Sequence, residues 1–189
     1  MTDRRDAPLL AWGDALRRTK GARARRRHIL AFGAGTCLLG TVTIAAPPAP
    51  RLVWNASGSA PRGLYAVAPG AAVERGDMVV AWAPPGSRQL AAMRHYLPSS
   101  VPLVKRIAAV AGDRVCARDA LILVEGRVVA HRLAADSAGR PMPWWRGCIV
   151  LRNGAVLLLN DAPASFDGRY FGPTRAADMV GKATPLWVE

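Results

Sequence analysis

The pattern of apolar and polar positions divides this chain of 189 residues near residue 48. From Ile29 to Ala46, eighteen consecutive residues (ILAFGAGTCLLGTVTIAA) carry no charge. That approaches the roughly 20 apolar residues a helix needs to cross a bilayer, and its glycines and threonines are tolerated in such helices. Upstream, residues 1–28 are polar and basic, with a weak helical periodicity from Leu9 to Thr19. Downstream the pattern predicts short strands. Leu64–Ala68 and Asp77–Ala83 read as β, the second a buried run (MVVAW) after the turn Arg75-Gly76-Asp77. Gly86 to Ser100 reads as a polar loop or short helix, and Leu103–Val110 and Arg114–Cys116 flank the turn Ala111-Gly112-Asp113. Ala120–Ala130 predicts a hairpin turning at Glu125-Gly126. Cys148–Leu151 and Val156–Leu159 predict another around Asn153-Gly154, the strongest turn signal in the chain. Asp136 to Gly147 is rich in Pro and Gly, and Asp161 to Pro173 is a non-regular loop. The expected fold is mainly β, a coiled, barrel-like sheet behind one N-terminal transmembrane helix.

Charge sharpens the division. The net +13 suggests nucleic acid or an anionic membrane surface. Residues 1–28 hold nine Arg and Lys against three Asp, directly before the apolar stretch, and residues 13–28 contain no aromatic side chain. Nucleic-acid surfaces interleave basic and aromatic residues, so the cluster reads as a topology signal and no nucleic-acid partner is expected. By the positive-inside rule residues 1–28 stay in the cytoplasm and the chain beyond about residue 48 lies outside. A cleavable signal peptide is the rival reading, given the small Ala45 and Ala46, but Pro47 and Pro48 disfavour cleavage there. A twin-arginine signal at Arg26-Arg27 is weaker. The organisation expected is a basic segment (1–28), a membrane signal anchor (29–47) and an exported domain (48–189) with a β-rich insertion at about 116–148. Pro47-Pro48-Ala49-Pro50 forms a stiff spacer.

Three cysteines and three histidines show no metal-ligand spacing, so no metal or other cofactor is expected. Cys37 falls in the apolar stretch. Cys116 and Cys148 fall in the exported body and bracket the insertion, where an oxidising compartment makes a disulfide between them reasonable; two free buried thiols are the alternative. Trp82, Trp144, Trp145 and Trp187 suit either a lipid interface or, for each one singly, ordinary core packing.

Candidate chemistry begins at Asn55-Ala56-Ser57-Gly58-Ser59-Ala60-Pro61-Arg62-Gly63-Leu64-Tyr65. Alone, this stretch reads as a Gly/Ser turn. With no histidine placed as a base, a serine nucleophile would need a desolvated lysine. Lys105, between Leu103-Val104 and Ile107-Ala108-Ala109-Val110, fits that need; a lysine snorkelling from a strand edge is the plainer reading. Asp167, in Ser165-Phe166-Asp167-Gly168-Arg169-Tyr170, could orient the lysine or make a surface ion pair.

These three blocks, in this order, resemble the boxes of the type I signal peptidases. Ser57-Gly58-Ser59-Ala60-Pro61 is similar to the nucleophile box, Leu103-Val104-Lys105-Arg106 through Gly112-Asp113 to the lysine box, and Ser165 to Gly172 to the last box. Asn55, the Ser-x-Pro-x-Gly-Leu-Tyr pattern and Ser-Phe-Asp-x-Arg-Tyr-Phe-Gly-Pro resemble the conjugative-transfer branch, the TraF-type peptidases that mature pilin subunits. The resemblance spans about Asn55 to Val188. It implies Ser59 as nucleophile, Lys105 as general base, Ser57 as oxyanion donor beside the Ser59 N–H, and Ser165 and Asp167 as supports of the lysine. Gly168 stands where the family often has serine. The implied protein is an inner-membrane serine endopeptidase, its catalytic domain in the periplasm. It would process a precursor pilin or another exported preprotein, with the conjugative transfer apparatus as a further partner. A general signal peptidase, a non-catalytic assembly component and a membrane-tethered nucleic-acid binder are the alternatives.

Overall fold

A computed structural model of the chain describes residues 7–45 and 49–189. The chain separates into two units, Met1–Pro48 and Ala49–Glu189. Residues 1–6 and 46–48, which include both ends of the basic segment and anchor inferred above, lie outside the described residues.

The first unit contains the helix α1, Ala7–Ala45. Its Arg25–Ala45 portion has a mean hydropathy of 1.6 over 21 residues, long and apolar enough to cross a membrane. The hydroxyls of Thr36 and Thr41 donate to the carbonyls of Phe32 and Cys37, each at 2.9 Å. These bonds satisfy polar groups within the helix itself, which an apolar surrounding requires.

The second unit is mainly β. In chain order it comprises β1 (Leu52–Asn55), β2 (Gly63–Ala68), β3 (Met78–Ala81), α2 (Pro85–Met93), β4 (Leu103–Ala109), β5 (Arg114–Arg118), β6 (Leu121–Val124), β7 (Arg127–His131), β8 (Gly147–Val150), β9 (Leu157–Leu159), α3 (Gly168–Phe171) and β10 (Met179–Val188). The strands form two antiparallel sheets, of order β1-β2-β10-β3-β4-β9 and β7-β6-β5-β8. Burial follows the two-residue period of a strand. Val80 and Val104 enter one cluster with Val53, Tyr65, Val67 and Ala183, while Val79, Ala81 and Ile107 enter another with Val156 and Leu158. A third cluster of Val115, Ala117, Ile122, Val124, Leu151, Leu157 and Leu159 joins residues of both sheets. Fully burying each such leucine contributes about 1.5–3 kcal/mol.

The Glu125-Gly126 hairpin forms between β6 and β7, with positive φ at both turn residues. The hairpin expected around Asn153-Gly154 does not. The turn itself is present: φ is 54° and 71°, and the Ala155 N–H donates to Arg152 O at 3.0 Å. But β8 pairs with β5 in the small sheet, while β9 pairs with β4 in the large one. A tight turn fixes the local chain reversal, not the partner of each flanking strand. Here it serves as a crossover between sheets, beside the other crossover at Ala111-Gly112-Asp113, to which it is bonded through Gly112 N–H and Leu151 O at 2.9 Å.

Cys116 and Cys148, cross-strand neighbours on β5 and β8, form a disulfide. The tryptophans divide. Trp145 packs on the core, whereas Trp187 lies on the surface against the equally exposed Trp54, their rings 5.7 Å apart.

Candidate active site

The loop between β1 and β2 is folded around one buried side chain, Asn55. Its Nδ2 donates to the carbonyls of Ser57, Ala60 and Pro61 at 3.1, 3.2 and 2.9 Å, and its Oδ1 accepts the Ser57 N–H at 3.2 Å. The Tyr65 hydroxyl donates to Pro61 O at 2.8 Å. Such side-chain bonds to main chain satisfy a loop that has no ladder partners. At its end, Gly63 (φ 142°) allows β2 to approach β10: a Cβ there would stand 2.0 Å from the Trp187 carbonyl oxygen. The loop holds Ser59 half-buried and Ser57 exposed, their Oγ atoms 2.9 Å apart. The Ser59 N–H donates to Ser57 Oγ at 3.3 Å.

Lys105 comes from the middle of β4. It does not snorkel; it is 3% exposed. Val79 on β3 is its cross-strand neighbour and Ile107 shares its face of the strand, so the ammonium lies over an apolar surface. Burial pushes the lysine down to about 8, the nearby Asp167 opposing that shift and Arg169 adding to it. Lys105 Nζ is 3.0 Å from Ser59 Oγ and 2.7 Å from Ser165 Oγ.

Asp167 does not touch Lys105. It is wholly buried and caps α3 through the Arg169 N–H at 3.1 Å. It also pairs with the Arg169 guanidinium at 2.8 Å and accepts the Asn160 N–H at 3.1 Å. The ion pair is thus buried, not on the surface: both side chains are at most 3% exposed. A buried carboxylate requires such a full set of donors. Arg169 continues to the carbonyls of Pro163 and His131 at 3.0 and 3.3 Å, so the pair closes the 160–169 loop and ties it to β7. Gly168 is required by packing, since a Cβ would lie 2.8 Å from both Leu158 O and Leu157 Cδ1.

Ser57, Ser59, Lys105 and Ser165 therefore converge on one cavity of about 320 Å³, otherwise lined mainly by apolar groups such as Trp54, Leu103, Val104, Phe166 and Tyr170. Asp167 stands behind it. Three buried polar residues of the site escaped the sequence-based assignment of roles: Asn55, Arg169 and Asn160. Asn55 borders the first matching box and Arg169 falls inside the last, but a motif does not say what such a residue bonds. Among the described residues no cluster of His, Cys, Asp and Glu could hold a metal ion.

Comparison with known proteins defines the class. The family model described as signal peptidase, peptidase S26, matches residues 25–188. The chain belongs to this peptidase family. Among its relatives, a plasmid transfer protein TraF of Escherichia coli is 33% identical over 176 residues, covering 86% of this chain and 96% of the relative. A probable conjugal transfer protein TraF of Sinorhizobium fredii is 34% identical over 181 residues, covering 86% and 91%. A crystal structure of a signal peptidase I from Enterococcus faecalis aligns with 60% of this chain and 98% of that one, at 19% identity and a TM-score of 0.36.

Proposed function

We propose that the protein is a membrane-anchored serine endopeptidase with a Ser59–Lys105 dyad, which matures an exported precursor, a pilin subunit, for a conjugative transfer system. The observation that carries this reading is the 3.0 Å approach of a desolvated lysine to a serine hydroxyl at the wall of an apolar cavity. The S26 family supports peptide hydrolysis, and relatives named for plasmid and conjugal transfer favour this setting over general secretion.

The chemistry follows from the contacts. Neutral Lys105 accepts the Ser59 proton as Oγ attacks the scissile carbonyl, and the resulting ammonium returns a proton to the leaving amine. Ser165 Oγ accepts one Nζ hydrogen in both the neutral and the charged form of the lysine. The carbonyl oxygen becomes an oxyanion, which needs preorganised donors. In the free protein the Ser59 N–H and the Ser57 hydroxyl satisfy one another's site; an entering carbonyl would take the N–H and draw the Ser57 hydroxyl round to it. Among the described residues strand β1 has only β2 as a neighbour, and Trp54 to Ser57 line the cavity, so an extended substrate can add along that edge. The positive-inside rule applied to Arg25–Ala45 and its basic flank supports a periplasmic location for this domain.

Processing of a candidate precursor pilin by membranes carrying wild type, Ser59→Ala or Lys105→Ala tests the proposal. Cleavage by wild type alone is expected. Unchanged cleavage by both variants would overturn the dyad, and cleavage of general secretory precursors in preference to pilin would overturn the assigned substrate.

A further inference from the structure

The residue that binds the nucleophile to the strand of its base is Asn160, immediately after β9. It is buried and belongs to none of the three matching boxes. Its Oδ1 accepts the Arg106 N–H at 3.0 Å, and its Nδ2 donates to the Val104 carbonyl at 3.2 Å. The carboxamide therefore grips β4 on both sides of Lys105, where a further strand residue would otherwise bond. These contacts also fix which end of the amide is which. A backbone N–H can only donate and a backbone carbonyl can only accept, so Nδ2 must face Val104 and Oδ1 must face Arg106. Nδ2 carries a second hydrogen, and Ser59 Oγ lies 3.3 Å away.

That assignment determines how the serine is wired. Ser59 Oγ has one hydrogen and two lone pairs, and three neighbours: Asn160 Nδ2, Ser57 Oγ and Lys105 Nζ. Asn160 can only donate to it. Ser57 Oγ accepts from the Ser59 N–H and keeps a second lone pair, so the Ser57–Ser59 bond can run in either direction. When Ser57 donates, both lone pairs of Ser59 Oγ are engaged and its hydrogen points to the lone pair of neutral Lys105.

We propose that Asn160 is a catalytic residue of this site, whose carboxamide, locked by the backbone around Lys105, donates to Ser59 Oγ and directs the serine proton onto the lysine. The inference rests on the Ser59–Lys105 reading. Its role is distinct from that of Ser57, because it acts on the attacking oxygen and not on the substrate carbonyl. As the proton leaves and charge grows on Oγ, the same N–H stabilises the developing alkoxide.

The test uses full-length protein in detergent micelles and an internally quenched peptide with alanine before the scissile bond. It follows kcat and KM from pH 6 to 10.5 for wild type, Asn160→Ala, Asn160→Asp, Ser59→Ala and Lys105→Ala. Asn160→Ala should lower the high-pH plateau of kcat about 100-fold, the scale of one lost donor at a reacting oxygen. KM should stay within about threefold, and the midpoint of the rising limb of kcat/KM, which reports the free enzyme, should stay near 8. Asn160→Asp keeps the acceptor for the Arg106 N–H but loses the donor and sets a carboxylate oxygen against the Val104 carbonyl, so its folding is checked by thermal unfolding alongside. Its plateau should fall as well, with the limb moved upward, because a carboxylate beside Lys105 adds to Asp167 against the opposing Arg169 in setting the lysine's charge.

If Asn160 only braced β4, its removal would hydrate Lys105. The limb would then move toward 10.5 and the full plateau would return at high pH, which would overturn the proposal. A wild-type plateau in either folded variant would do the same. Inactive Ser59→Ala and Lys105→Ala beside fully active Asn160 variants would sink only the role of Asn160. Active Ser59→Ala and Lys105→Ala would sink the dyad reading beneath it.

Discussion

Two loops meet at Lys105, and they are built in opposite ways. The 55–63 loop presents Ser57 and Ser59 at its surface and holds them through neutral hydrogen bonds from Asn55 to main-chain carbonyls. The 160–169 loop hides its charges, with Asp167 and Arg169 paired inside the protein and saturated by backbone groups. The first loop keeps its reactive groups weakly held and open to substrate. The second supplies a fixed electrostatic setting for Lys105, which in the proposed dyad has to lose its charge. Damage to the serines of the first should therefore fall on activity alone, and damage to the buried pair of the second on activity and stability together.

The sharpest way to break this contrast is at the reacting pair. Ser59→Ala should lower kcat at least about 1,000-fold while thermal unfolding stays within about 0.5 kcal/mol of wild type, as expected for a substitution of a half-buried hydroxyl. Lys105→Met should be as inactive yet more stable at pH 7. The lysine's folded value of about 8 lies below its unfolded value, so the folded state binds fewer protons between them. Wild-type stability should thus rise from pH 8 to about 10.5, and the advantage of Lys105→Met, on the order of 2 kcal/mol at pH 7, should vanish over that window. Denaturant titrations at pH 7 and 10.5 check the sign.

Asp167→Asn should cost both properties. It leaves Arg169 buried without a counter-charge, for which about 3–5 kcal/mol of lost stability is typical; an unchanged melting curve would remove the distinction between the loops. Ser57→Ala should lower kcat about 100-fold without changing stability, on the scale of one oxyanion donor. Asn55→Ala is expected to cost about 1–2 kcal/mol by leaving loop carbonyls unsatisfied, with a loss of kcat through misplaced serines. Were Asn55→Ala more damaging to stability than Asp167→Asn, the comparison would be inverted.

How far the sequence discloses this arrangement depends on whether each feature is local. The Glu125-Gly126 hairpin is a short-range matter, readable from a turn flanked by apolar runs, and it forms. Asn153-Gly154 carries an equally readable turn, but strand pairing is a tertiary choice. β8 goes to β5, cross-linked through Cys116–Cys148, and β9 goes to β4. The same limit applies to the site. Ser57, Ser59, Lys105, Ser165 and Asp167 were reachable because their neighbours resemble known boxes, and the structure gathers the first four at one cavity. Asp167, expected beside the lysine or on the surface, is buried one layer behind it. Asn160 follows the apolar run Val156 to Leu159 with no local mark of its purpose. Its three contacts span 54, 56 and 101 residues of sequence, and only the folded sheet brings them together.

The most direct test of the account is the pH dependence of kcat/KM for the wild-type protein on the quenched peptide, with Lys105→Ala measured alongside. A desolvated lysine base predicts a rise of unit slope with a midpoint near 8, absent from the variant. A midpoint near 6.5, where a histidine titrates, or near 10.5, where a solvated lysine does, would contradict it, as would a Lys105→Ala variant that keeps the wild-type profile.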